Sequence, residues 1–161
     1  MPSGPEIIVR RLIEEGFNRG DLRVADELNS PSILEHQNFG PDHAAGAEGV
    51  KAVIRSLRGA FSDFHLSIDD LVVSGDTVWL RMTGTGTNDG RFMGHAPTGR
   101  RIRIDVIDVV RVEDGLVAEH WGVPDRLGAL FQLGLAVPPG TTASSGADVR
   151  RVATGTPAQT G

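Results

Sequence analysis

Apolar residues recur at helical spacing over the first sixty positions of the chain and alternate with polar ones over most of the next sixty. From Glu6 to Asn18, the residues Val9, Leu12, Ile13 and Phe17 share one helical face. Ser3 and Glu6 have the spacing of a capping box, and Pro5 suits the first turn. Gly20 stops this helix, and Asp21 caps a second, short one through Leu28. A short strand from Ser32 to Gln37 follows Pro31. The clearest helix then runs from Gly46 to Phe61, with Val50, Val53, Ile54, Leu57 and Phe61 along one side.

Past Phe64 the period changes. Leu66 to Val73 reads as a strand, Gly75-Asp76 as a turn, and Val78 to Thr87 and Ile102 to Val112 as longer strands. Asp114-Gly115 is a hairpin signal, and Leu116 to Val123 is its return strand. Asp125 caps a last helix carrying Leu127, Leu130, Phe131 and Leu133. Helices first and a strand meander afterwards predict an α+β domain, a curved antiparallel sheet wrapped around the N-terminal helices. The cavity between the two layers is where a small ligand fits. Residues 1–136 form this domain, and residues 137–161, dominated by Pro, Gly, Ser, Thr and Ala, read as a flexible tail.

Bulk composition narrows the function more than the fold. A length of 161 residues suits one domain. A net charge of −5 argues against a nucleic-acid partner, which needs a clustered basic face. Cysteine is absent, which removes disulfides and thiolate metal sites. No apolar run approaches the roughly 18 residues of a membrane span, so no membrane partner is expected and a cytoplasmic location is the default.

Alternation along Ile102 to Val112 puts Ile104, Val106, Val110 and Val112 on one face, with Asp108 as its only charged member. A carboxylate on an apolar face is costly unless hydrogen-bonded, paired or protonated. Asp108 is therefore either a proton-transfer group facing the cavity or a structural carboxylate satisfied by a buried donor. His120, assigned the face of Leu116, Ala118 and Gly122, either donates to a substrate oxygen or holds Asp108 in place; bridging strand and helix is the structural reading. His36 ends the short strand, at the cavity mouth or on an exposed loop edge. Trp79 and Trp121 alternate with the inward positions and so fall outside the cavity. Phe92 and Met93 form either an apolar lid or a loop anchored to its own domain.

Other signals carry less. Gly84, Gly86, Gly90 and Gly94 lie between two strands, not between strand and helix, and make no phosphate loop. His36 and His43 lack zinc-site spacing, and the serines lack a nucleophile elbow. No metal or organic cofactor is expected.

Gly86-Thr87, Gly90, Phe92, Gly94 and Pro97-Thr98-Gly99-Arg100 form a loop signature that resembles the SnoaL-like polyketide cyclases. Arg111, Asp114-Gly115, Glu119-His120-Trp121 and Gln132-Leu133-Gly134 match the family's C-terminal hairpin and helix. Phe17-Asn18, Gly20-Asp21-Leu22 and Glu35-His36 match N-terminal elements. The resemblance implies a cone-shaped fold of the nuclear-transport-factor-2-like kind, acid/base chemistry without a cofactor, and a homodimer or homotetramer built through the outer sheet face. It also implies a small hydrophobic substrate in a pocket formed by Asn88, Phe92, Met93, Val106, Val110, Ala118 and Gly122, with Asp108, His120 and His36 as catalytic candidates. Asp108 lies where the aldol cyclases have a pocket histidine. Two positions depart from the family: its general acid/base aspartate is Gly122 here, and a frequent histidine is Asn88. Gly122 either lets a ligand or water approach the backbone or forms a bulge ahead of Pro124. The enzyme so implied cyclises, isomerises or hydrates a polyketide-like compound. A carrier with the same cavity, or a subunit acting through its outer sheet face, are the alternatives, since fold alone does not choose.

Overall fold

The structure is a computed structural model that describes residue 1, residues 3–37 and residues 43–141. Helix α1 (Gly4–Arg11) starts where Ser3 accepts a hydrogen bond from the Glu6 amide at 3.3 Å. It continues without a break into a π-helical segment, Leu12–Asn18, in which wider turns replace the expected α-helix. The Arg19 amide closes it on the Glu14 carbonyl, five residues back, at 3.2 Å. Asp21 then caps α2 (Leu22–Leu28) by accepting from the Arg23 amide.

Strand β1 (Asn29–Glu35) begins three residues earlier than the sequence pattern predicts, directly at the end of α2. Helix α3 (Gly46–Ala60) follows, then β2 (His65–Ser74), β3 (Thr77–Thr87), β4 (Arg101–Glu113), β5 (Leu116–Pro124) and α4 (Arg126–Leu133). Asp125 caps α4 on the Gly128 amide at 2.8 Å, and Gly134 ends it in the left-handed region that favours glycine. The part of the proposed tail beyond residue 141, and residues 38–42 of the loop after β1, lie outside the described residues.

The five strands form one sheet in the order β1-β5-β4-β3-β2. Four of them make the expected antiparallel meander. The correction is at the edge: β1 runs parallel to β5, so the sheet is mixed. Helix α1 packs against β3, β4 and β5, and α3 packs against β1. Val78, Leu80 and Met82 of β3, with Val106, Val110 and Val112 of β4, meet Val9, Leu12 and Ile13 in a shared core. Each such large apolar side chain contributes roughly 2 kcal/mol when fully withdrawn from water.

Two irregularities set what the sheet presents inward. Strands β3 and β4 pair without a slip from Thr77 opposite Arg111 to Thr87 opposite Arg101. Between β4 and β5 the register jumps: Arg111 faces Glu119, but Val112 faces Val117, leaving Ala118 as the extra residue of a bulge. A bulge reverses the alternation beyond it. Val117 and His120, at odds in a regular strand, therefore face the same way.

Candidate active site

The cavity between sheet and helices has a volume of about 650 Å³, within the range of small-molecule sites. Its wall is mostly apolar, with Val9, Leu12, Phe17, Phe61, Leu80 and Val117 among its lining. Of its polar lining residues, Glu35, Gln37, Asp108 and His120 gather in one place.

Their meeting follows from strand pairing. Asp108 of β4 lies opposite Gly122 of β5, and the next inward pair is Val110 opposite His120. Across the parallel edge, Glu35 of β1 lies beside His120. Three adjacent strands thus bring Glu35, His120 and Asp108 into one row. His120 Nδ1 lies 2.9 and 2.8 Å from the two carboxylate oxygens of Glu35. Its Nε2 lies 3.4 Å from Asp108 Oδ2, a contact longer than an ordinary hydrogen bond. The Gln37 backbone amide donates to Glu35 Oε1 at 2.8 Å and steadies the outer carboxylate.

Burial works against charge on His120, but the hydrogen bonds and charges of Asp108 and Glu35 outweigh it. They push the imidazole up to about 9. The group at neutral pH is an imidazolium between two carboxylates, with Nδ1–H held by Glu35 and Nε2–H directed towards Asp108. Such a row can accept a proton at Asp108 and deliver one from Nε2.

Gly122 faces this row. A Cβ at that position would lie 2.3 Å from Gln37 Oε1, 2.8 Å from His120 Cε1 and 3.0 Å from Asp108 Oδ1. The amide of Gln37 thus occupies the space into which a side chain at 122 would project. Where the family resemblance implies an aspartate, this chain places a neutral amide from the segment just past the end of β1.

Asp108, His120, Val106, Val110, Phe92 and Met93 all line the cavity. Phe92 stacks edge-on against Phe61 with ring centroids 5.1 Å apart, which ties the 92–93 loop to the end of α3. Four expectations fall elsewhere, among them Gly122, which faces the Gln37 amide and is absent from the cavity wall. His36 lies on the outer sheet face, where Nε2 pairs with Glu119 Oε1 at 2.8 Å and the ring stacks on Trp121 at 4.6 Å. Alternation explains it: Ile33, Glu35 and Gln37 line the cavity, so His36 turns outward. Asn88 is fully buried and holds the loop together, donating to the Ala60 and Gly90 carbonyls and accepting from the Thr98 amide and hydroxyl. Ala118 is the bulge residue and is absent from the cavity wall, its inward place taken by Val117.

Gln37 and Asn29 were not singled out by the sequence pattern, and Glu35 entered it only within the Glu35-His36 element that resembles the family. Ile33, Glu35 and Gln37 carry the period-2 signal that could have found two of them. Asn29 carries no such signal, because it stands at a helix-to-strand junction.

A family profile for SnoaL-like polyketide cyclases matches residues 7–133. Aklanonic acid methyl ester cyclase DnrD of Streptomyces peucetius is 32% identical over 133 residues, covering 79% of this chain and 88% of that protein. The structure of TsrD from Streptomyces laurentii superposes with a TM-score of 0.72 at 37% identity, covering 81% of this chain and 97% of that one. IdmH from Streptomyces antibioticus, described as a putative polyketide cyclase, superposes at 0.71 with 34% identity over 81% of this chain and 98% of its own. A match across the helices, the five strands and the cavity-lining hairpin leaves one assignment: this chain belongs to the SnoaL-like polyketide cyclase family.

Proposed function

We propose that the chain is a cofactor-independent cyclase acting on a hydrophobic, polyketide-like compound by acid/base catalysis in the cavity. The observation that carries this reading is the contact of Asp108 with an imidazolium His120 in a mostly apolar wall. The names of the relatives supply the reaction class, a ring closure on a polyketide methyl ester.

In an intramolecular aldol closure, Asp108 takes the proton from the carbon next to a substrate carbonyl. The enolate carbon then bonds to a second carbonyl of the same molecule, and His120 gives its Nε2 proton to the alkoxide that forms. Transfer of the proton from Asp108 back to His120 across their contact restores the starting state. The product is an isomer of the substrate. Glu35 holds Nδ1 and keeps Nε2–H aimed inward, and a preorganised donor of this kind is worth about 3 kcal/mol at a developing oxyanion. Packing of the substrate in the cavity brings the two carbonyl-bearing arms together.

A second reading is a carrier with the same cavity. It is favoured by Gly122, since Gln37 fills the place of the family's aspartate with a group that transfers no proton. Wild type and Asp108→Asn, incubated with aklanonic acid methyl ester and followed by chromatography, separate the two. We expect wild type to yield a product of unchanged mass and new retention time. Asp108→Asn should bind the ester but turn over at least about 100-fold more slowly. Binding by wild type without conversion would leave the carrier.

The same reading has the enzyme work as a homodimer or homotetramer. Trp79 and Trp121 flank Val109 in one row across β3, β4 and β5 on the outer face. Their exposures of 53% and 38% are high for aromatic side chains on one contiguous surface.

A further inference from the structure

An aldol closure puts charge on two oxygens in turn: the enolate oxygen when Asp108 removes the proton, and the alkoxide when the new bond forms. The Nε2–H of His120 serves the second. A donor for the first must lie beside Asp108, because the proton to be lost and the carbonyl oxygen sit on adjacent carbons. Gln37 stands there. The pairing of β1 with β5 carries on past the strand's end, where the His36 amide donates to the His120 carbonyl at 2.9 Å. The backbone amide of Gln37 donates in turn to Glu35 Oε1 at 2.8 Å. Both bonds tie this stretch of backbone to the acid/base row, and Gln37 lines the cavity from it without being fully buried. Its side-chain Oε1 packs on Gly122 at the spot where His120 Cε1 and Asp108 Oδ1 also converge, all three within 3.0 Å of the position a Cβ would take. A side chain at 122 would displace the amide, so the glycine keeps it beside the base.

We propose that Gln37 is a further catalytic residue, whose side-chain N–H donates to the enolate oxygen while Asp108 takes the proton. The inference rests on the acid/base reading of this cavity and adds a group to it. A carboxamide carries an acceptor on one arm and two donor hydrogens on the other. With Oε1 packed on Gly122, the N–H arm is the one that this glycine does not engage. In the step itself, Asp108 accepts the proton and the C–H electron pair becomes the enolate double bond. The carbonyl pair moves onto the oxygen that Gln37 holds, and the reverse sequence returns a proton from Asp108 to carbon. A neutral amide suits this place. It donates at every pH, does not compete with Asp108 for the proton, and adds no negative charge beside the enolate, as a carboxylate at the same spot would. A preorganised donor aimed at developing charge acts on the transition state more than on the bound ketone.

The test uses 2-tetralone, a fused-ring ketone that loses a proton from C1 beside its single carbonyl and has no second carbonyl to close on. In heavy water, wild type should speed the replacement of the C1 protons by deuterium, followed by proton NMR, and Asp108→Asn should lose the effect. Gln37→Met keeps nearly the same volume and carries no donor. It should slow the enzymic exchange at least about tenfold, with the acid limb of the rate–pH profile in the same place. Gln37→Glu, which brings a charge instead of a donor, should be slower still. An unchanged rate in Gln37→Met overturns the proposal. A loss that comes with a displaced acid limb overturns it too, since the amide would then act only by adjusting Asp108. So does a wild type that leaves 2-tetralone unexchanged. Ring closure of aklanonic acid methyl ester is followed in parallel: Gln37-dependent exchange without closure leaves this assignment standing and removes the cyclase reading.

Discussion

His120 carries a proton that the unfolded chain would give up near its ordinary value of about 6.5, whereas in the folded protein it is held up to about 9. Between those values the folded state binds more protons than the unfolded one, so stability falls as pH rises. The contribution is complete below about pH 6.5 and gone above about 9, with a slope of at most roughly 1.4 kcal/mol per pH unit. Urea midpoints measured across this window should decline for wild type and stay flatter for His120→Gln. A wild-type profile no steeper than the variant's would mean that the two carboxylates do not hold the proton. The same charge should govern turnover, which we expect to persist up to about pH 9 and to fall beyond it, because the donor at Nε2 is then lost.

Single residues act here through the elements that aim them. The loop joining β3 to β4 reaches over the end of α3, and Asn88 fixes it with four side-chain hydrogen bonds in a fully buried position. Gly90 sits so close to α3 that a Cβ would lie 1.8 Å from the Gly59 carbonyl oxygen. Phe92 and Met93 hang from this anchored loop and line the cavity. Asn88→Ala strips donors and an acceptor from a dry site, and should cost about 2–4 kcal/mol in denaturant unfolding. Amide exchange in residues 88–100 should quicken with it. A loss confined to a few tenths of a kcal/mol would show that water can replace the side chain.

At the scale of the molecule, the sheet has two unlike faces. The inner one is packed against helices, while the outer one exposes Val72, Trp79, Ile107, Trp121 and Val123. Paired strands bring these residues together: Val72 opposite Trp79, Trp79 opposite Val109, and Val109 opposite Trp121. His36 and Glu119 edge this surface, and Arg111 pairs with Glu119 at 2.9 Å. Trp79→Arg places a charge in the middle of the row without touching the cavity. On the proposed assembly through this face, sedimentation should report oligomers for wild type and monomers for the variant, with an unchanged circular dichroism spectrum. An assembly that survives the change would place the contact elsewhere.

Nearly every element was legible in the sequence, because helical and strand periods of apolar residues report directly which face is buried. The Ser3, Asp21 and Asp125 caps, the helix ending at Ala60 and the hairpin at Asp114-Gly115 are all local chemistry, and they stand where local chemistry puts them. Asp108 was legible for the same reason, as one charge on a regular apolar face. What local pattern could not supply was pairing between distant strands. The parallel edge brings Glu35 to His120, 85 residues away in sequence, and nothing near either residue announces the other. The bulge at Ala118 reverses one strand's alternation, which moved Val117 inward and displaced Ala118. The outward turn of His36 follows from its neighbours Glu35 and Gln37, which take the inward positions. The placing of Gln37 in the space above Gly122 exists only once helices and sheet have closed around a cavity. Periodicity chose the elements, and tertiary register chose which polar atoms meet.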